Sequence, residues 1–383
     1  MPIPVFIQNP SEFERLTEDL NRVEAFAIDT EFDNNHYSYG FNLCLLQIAT
    51  PDACYLIDPF EIRDLSPLWK VLENPEVEKI LHDSGEDMRL FYLHGCSPRN
   101  LFDTSIAAKL LHFEKIGLGS ILSEVLGVEF NKKKQQSNWL KRPLMPMQLE
   151  YAANDVIYLS ALRTIFTERL RAQNRWDWFK QSMAFLEKKN YAPKPKSTFL
   201  SFKEQKEFHP FDQYILNELY RFRDEQAQRI NKPVYQVLPE SLIHELLREP
   251  SVLDNWLTLK GIHYRLQNEV VADKLKAIYE NARRVAEETQ LPQVKRQLSR
   301  QEAALAQQRA TRYNTLRDTT FIPIKRWIED RYSPLFAPYV LSNETISQLI
   351  AGEATLAEIG PPYQQNIIKE AASALGIDIS AFA

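Results

Sequence analysis

Apolar and polar positions follow two different periods along this chain, and the change of period divides it. Over the first 185 residues, short apolar runs bounded by turn residues recur between longer stretches of helical period. AFAIDTEF, LCLLQIAT, ACYLIDPF and EKILHD are the strand candidates, and helices are predicted at about 65–73, 85–95, 104–112, 117–127 and 148–172. This mixture predicts an α/β domain over residues 1–185, built on a central sheet. Between 186 and 208 the text EKKNYAPKPKSTFLSFKEQKE is rich in Lys, Pro and Ser and lacks a period, which predicts a linker. Beyond it strand signals nearly vanish and the chain reads as helical.

The helical part contains a faint repeat. VLPESLIHELL at 237–247 resembles VLSNETISQLI at 340–350. Each lies downstream of a charged helix bearing an aromatic residue, in Tyr220-Arg221-Phe222 and Lys325-Arg326-Trp327, and each is followed by a leucine and a glycine turn, LTLKGI and LAEIGP. Two copies of one small all-α domain are predicted, over 209–288 and 289–383.

Composition changes this picture little. Hydrophobic residues make up 44% and charged residues 25%, the balance of a soluble globular chain. The N-terminal segment has neither a basic start nor a long apolar stretch, and no later run has the length of a membrane helix. A cytoplasmic protein with no membrane partner is expected. Cys44, Cys54 and Cys96 have no metal or redox spacing and read as reduced core residues. The net charge of −5 does not exclude a nucleic-acid partner, because phosphate contacts need only a local basic strip and a carboxylate site adds negative charge itself.

Three acidic motifs carry the candidate chemistry. In AFAIDTEF a strand places Asp29 and Glu31 on one face, where they repel each other and lose solvation. A hard divalent cation removes that cost; a strand end where both groups reach water is the other reading. In His82-Asp83-Ser84-Gly85-Glu86-Asp87 a strand turns into a helix, and Asp87 alone reads as a structural acid serving the helix dipole ahead of a ligand. In Tyr151-Ala152-Ala153-Asn154-Asp155 the i,i+4 spacing sets the Tyr hydroxyl and the Asp carboxylate on one helical face, with alanines that admit a close neighbour. Asp103, before Thr104, reads as a helix N-cap. His82 and His112 read as core or surface residues, and Gln47 as a strand residue bonded to neighbouring backbone.

Taken together and in this order, DxE, the later acid and YxxxD resemble the DEDD exonuclease superfamily, in the subgroup whose last motif carries tyrosine. LCLLQIAT, FDTSIAAKLL, NWLKRPL and YAANDVIYL resemble ribonuclease D, and RFRDEQAQRINKPVYQVLPESLIHELL resembles an HRDC domain, with a more divergent second copy. The resemblance spans about residues 3–380 and shows no departure at the four acids or the tyrosine. It implies a ribonuclease H-like catalytic domain with a mixed central sheet, followed by two HRDC-like domains. It further implies a 3′→5′ exoribonuclease using two divalent ions, Mg²⁺ or Mn²⁺, about 4 Å apart. Asp29 would bridge the ions, Glu31 and Asp155 would complete the site beside the attacking water, and Asp87 would hold the second ion. Tyr151 would orient that water, a tyrosine of pKa about 10 being a weak base candidate. Nucleoside 5′-monophosphates are the implied products and transfer-RNA precursors with 3′ tails the implied substrate.

For substrate contact, Lys132, Lys133 and Lys134 with Lys141 and Arg142 form the strongest basic cluster of the first domain, either a phosphate-binding loop or a solvated one. Trp139 and Phe32 are candidates for stacking on bases or for packing. A DNA exonuclease of the same superfamily would share the acids, since metals and carboxylates do not read the sugar; the trailing helical pair favours RNA. A non-catalytic scaffold would show a missing acid, and all four are present. The catalytic residues all precede residue 160, so a chain ending near 208 is expected to fold and act alone.

Overall fold

The computed structural model describes residues 4–129, 137–193, 195–295 and 299–382. Its sheet is six-stranded and mixed, in the order β1-β4-β3-β2-β5-β6. The strands are β1 (Val5–Ile7), β2 (Ala25–Asn34), β3 (Phe41–Ala49), β4 (Cys54–Ile57), β5 (Glu78–Leu81) and β6 (Leu101–Asp103). β3 and β4 run antiparallel, whereas β1–β4, β2–β5 and β5–β6 are parallel. Consecutive residues Phe26, Ala27 and Ile28 on β2 and Cys44, Leu45 and Leu46 on β3 are all fully buried, as expected of strands covered on both faces.

Around the sheet lie α1 (Pro10–Leu20), α2 (Ser66–Glu73), α3 (Gly85–Leu93), α4 (Thr104–Leu110), α5 (Leu118–Leu126), α6 (Pro146–Ile157), α7 (Leu159–Ala172) and α8 (Trp176–Lys188). Local signals set their ends. Asn9 caps α1 by accepting from the Ser11 N–H, with Pro10 in the first turn, where no N–H is missed. Asp103 caps α4 through the N–H groups of Ser105 and Ile106. α5 stops where Gly127 takes φ 67°, a left-handed conformation that glycine adopts without strain. The single helix predicted at 148–172 is broken at Tyr158 into α6 and α7.

The chain forms two compact units, one of Met1–Glu31, Leu43–Ala192 and Ala303–Ala383, the other of Phe32–Asn42 and Pro193–Glu302. The second unit contains α9 (Phe202–Glu207), α10 (Pro210–Ile230), α11 (Val234–Val237), α12 (Glu240–Arg248) and α13 (Glu269–Glu288). Leu219, Tyr220, Phe222, Leu238, Trp256 and Leu275 are buried in its core, and Trp256 Nε1 donates to the Leu266 carbonyl at 2.7 Å. Parts of the predicted linker are structured. α8 runs to Lys188, Leu200 enters the core, and Phe199 N and Thr198 Oγ1 donate to Asn217 Oδ1 at 2.8 and 3.0 Å. A capping box between Ser201 and Glu204 opens α9. Its Lys/Pro-rich composition hid those two signals.

The β2–β3 hairpin also belongs to this second unit. The Asp33 carboxylate accepts from Tyr37 N, Ser38 N and Ser38 Oγ, which fixes the turn. The Tyr39 hydroxyl donates to Asp224 at 2.7 Å, Tyr39 N to Asn231 Oδ1 at 3.1 Å, and the Tyr235 hydroxyl to the His36 carbonyl at 2.7 Å.

The C-terminal helices are α14 (Arg300–Leu316), α15 (Ile322–Arg331), α16 (Phe336–Val340), α17 (Asn343–Ala351) and α18 (Pro362–Leu375). Both the series α10–α13 and the series α15–α18 place a helix of four or five residues, then one of nine, before a longer closing helix. Val237 and Leu238 are buried in the first series, as are Val340 and Leu341 in the second. The second series packs on α4 and α8 within the first unit. Trp178 stacks on Phe336 and Tyr363 at 6.2 and 5.1 Å, both at 11°. Ser182 Oγ and the Tyr363 hydroxyl lie 3.0 Å apart, and the Tyr339 hydroxyl donates to Ser182 at 3.3 Å. The segment up to 208 thus shares apolar surface with the second series, a contact that its expected independence did not include. Among the described residues no helix is long and apolar enough to cross a membrane.

Candidate active site

β2 supplies Asp29 and Glu31, half-buried, with Thr30 between them. Thr30 Oγ1 donates to Asp87 Oδ1 at 2.5 Å and so fixes the acid in the first turn of α3. α6 supplies Tyr151 and, one turn later, Asp155, both buried. Carboxylate oxygens of Asp29, Glu31 and Asp155 all lie within 4.8 Å of one another. Asp87 stands outside that trio, yet its charge raises the pKa of both Asp29 and Glu31.

Every acid here is held above the usual carboxylate range. For Asp29 the causes are burial, then the charges of Asp87, Asp155 and Glu31; for Glu31 they are burial, then Asp155 and Asp87. Burial raises Asp87 to about 7 against the Thr30 hydrogen bond, and Asp155 to about 8 against the bond from Tyr151. Burial and the neighbouring carboxylates also raise Tyr151, so its phenol keeps its proton at neutral pH. Clustered anions with only oxygen donors, short of solvent and mutually repelling, match the preference of a hard divalent cation such as Mg²⁺.

The expected substrate contacts fare differently. Lys132, Lys133 and Lys134 lie outside the described residues. Trp139 is 3% exposed and packs with Cys44, Leu45, Leu56 and Leu144 against Tyr151, its ring centroid 6.2 Å from that of the tyrosine. It supports the helix of the active site and offers no open face for a base. Arg142 is likewise turned inward: Nε and Nη2 donate to Asp58 Oδ2 and Oδ1 at 2.6 and 2.8 Å, Nη2 to the Cys44 carbonyl at 2.7 Å and Nη1 to the Trp139 carbonyl at 2.8 Å. The buried Asp58 carboxylate requires this partner, which its 84-residue separation conceals in the sequence. Lys141 is exposed, and Phe32 is half-buried, edge-on to Phe41 at 4.8 Å.

Other expectations hold or shift. Asp103 is the N-cap foreseen, and it also accepts from Ser84 N and Oγ. His82 Nδ1 lies 2.8 Å from Thr104 Oγ1, and His112 packs on Tyr332 and Phe336, with burial lowering both histidines. The three cysteines are free and buried. Gln47 is fully buried, but among the described residues neither amide atom has the backbone partner expected of it. Thr30 was missed as the partner of Asp87; a hydroxyl between two acids on the strand was the available signal.

The chain as a whole is similar to known proteins. A family model described as a 3′-5′ exonuclease matches residues 4–171. Ribonuclease D of Gluconacetobacter diazotrophicus is 31% identical over 266 residues, covering 68% of this chain and 67% of that protein. Ribonuclease D of Desulfotalea psychrophila is 31% identical over 317 residues, covering 79% and 82%. Among solved structures, Escherichia coli ribonuclease D, described as an exoribonuclease involved in structured RNA processing, superposes with a TM-score of 0.70 at 24% identity, over 97% of this chain and 98% of that one. A protein from Bifidobacterium adolescentis gives 0.74 at 20% identity, over 97% and 96%. At these identities the structures establish a shared fold.

Proposed function

The chain belongs to the ribonuclease D family and is a 3′→5′ exoribonuclease, and from that premise we propose that it trims the 3′ tails of transfer-RNA precursors at a site formed by Asp29, Glu31, Asp87, Tyr151 and Asp155. The observation that carries this reading is the convergence of three carboxylates within 4.8 Å, all short of solvent, beside a protonated tyrosine. Asp29, Glu31 and Asp155 would hold one divalent ion, Mg²⁺ or Mn²⁺, and Asp29 with Asp87 a second. When bound, such ions neutralise charge on the attacking and leaving oxygens of an in-line displacement. The Tyr151 hydroxyl donates to Asp155, which leaves its lone pairs to accept a hydrogen bond from the attacking water and set its direction. Thr30 keeps Asp87 in place. Products are nucleoside 5′-monophosphates.

The two helical series are assigned as HRDC-like domains that hold the body of a structured RNA. Lys132, Lys133 and Lys134, with Lys141, are assigned to the phosphates near the cleaved end. The test is digestion of a 3′-tailed transfer RNA by the full chain, with the products sized over time. Stepwise release of mononucleotides with Mg²⁺, and none with a chelator, is expected. Cleavage that begins inside the RNA, or that persists in chelator, overturns the reading.

A further inference from the structure

A cavity of about 460 Å³ lies wholly within the second unit. Segments distant in sequence wall it: the hairpin through Tyr39, the stretch before α9 through Lys196 and Phe199, and α10 through Tyr220, Arg223 and Asp224. Its walls are pre-arranged. Tyr39 is half-buried and tied at both its hydroxyl and its backbone N–H, to Asp224 and Asn231. The Arg223 guanidinium lies 4.4 Å from the Tyr220 ring centroid, and its buried Nε–H has no hydrogen-bond partner among the described residues. Lys196 Nζ stands 5.7 Å from the half-buried Phe199 ring.

Arginine keeps its charge, so a buried and unpartnered guanidinium N–H is a charged donor lacking an acceptor. The acceptors that suit a ring-stacked guanidinium are phosphate and carboxylate oxygens. Of the residues lining the cavity, Lys196 and Arg223 are cations and Asp224, already engaged by Tyr39, is a carboxylate; Glu240 and Glu204 also act on Arg223, from outside the lining, and the two half-buried rings add flat apolar surface. A carboxylate or phosphate on a peptide would use the cations and leave the rings idle. A nucleotide uses both, and cavities of roughly 300–1,000 Å³ are the usual size for such ligands.

We propose that this cavity is a nucleotide subsite for the body of the RNA substrate, with a phosphate held by Arg223 and Lys196 and a base against Tyr39 and Phe199. The assignment rests on the exoribonuclease reading, which supplies the polyanion. It gives the hairpin that continues from Glu31 a role in substrate binding.

The test uses the full chain with Asp29→Asn, so that bound RNA survives, and a labelled single strand of about 16 nucleotides in Mg²⁺. Affinity is followed against salt. Arg223→Gln in this background is expected to weaken binding about tenfold, the size of one charge-assisted hydrogen bond. Lys196→Gln, at an exposed position that leaves the fold alone, is expected to reduce the salt slope by about 0.7, one phosphate contact to a single strand. Unchanged affinity and slope in both variants overturn the subsite while leaving the exoribonuclease reading in place. If the parent chain binds no RNA, the reading of the substrate fails and the subsite with it. A phosphopeptide that binds in an Arg223-dependent manner where RNA does not also overturns it.

Discussion

Asp29, Glu31, Asp87 and Asp155 destabilise the fold that carries them unless a cation is present. A carboxyl whose folded pKa exceeds its unfolded value adds nothing unfavourable below that unfolded value, near 3.8 for aspartate. Its penalty grows as pH rises through that range and is complete above the folded value, about 8 for Asp155. Asp155→Asn is therefore expected to melt a few degrees higher than the wild type in chelator at pH 8.5, with the gap closing near pH 3.5, and to lose roughly a thousandfold in turnover. Mg²⁺ should raise the melting temperature of the wild type more than that of the variant. A variant no more stable than the wild type at any pH would falsify the repulsion account. Tyr151→Phe removes the donor to Asp155 and the acceptor for water, so turnover should fall roughly a hundredfold with RNA affinity nearly unchanged; equal turnover would make Tyr151 a packing residue. Each acidic motif alone had a structural reading, and it was their order along the chain that singled these residues out; the fold brings Asp29, Glu31 and Asp155 together. Trp139 and Arg142 were not legible, because aromatic rings and guanidiniums look the same in sequence whether they face a ligand or a neighbour.

Several elements of the first domain lie near their predicted places, although α1 and α8, of 11 and 13 residues, had no predicted counterpart. β2, β3 and the helices from α2 to α7 lie close to their predicted places, whereas β1 and β6, three residues each, are shorter than any alternation that could announce them. The break at Tyr158 had no Gly or Pro to mark it. The clamp by which Arg142 ties the segment before α6 to β3 and β4 joins parts of the chain that no local pattern connects. Removing one partner of a buried pair leaves the other charge uncompensated, so Arg142→Ala should lower unfolding free energy by about 3–5 kcal/mol in denaturant titration. Lys141→Gln next to it, being exposed, should stay within about 0.5 kcal/mol. Similar losses in the two variants would mean that Asp58 finds solvent when Arg142 is gone.

At the scale of the molecule, the chain order of the domains proved a poor guide to what packs with what. The second helical series shares a core with the catalytic segment through Trp178, Phe336 and Tyr363, while the hairpin beyond Glu31 joins the first series. A chain cut near residue 208 loses the partners of both. It should be aggregated or molten by gel filtration and near-ultraviolet dichroism, with exposed aromatic surface; a sharp melting transition and undiminished trimming of short RNA would refute this. The hairpin also has a bearing on synthesis. Its anchoring partners Asp224 and Tyr235 lie 185 and 199 residues further along the chain. At about 5–20 residues per second, they leave the ribosome roughly 10–40 s after it does. A nascent chain thus carries Asp29 and Glu31 past ribosomal RNA and its own messenger on a strand whose far end has nothing yet to dock on.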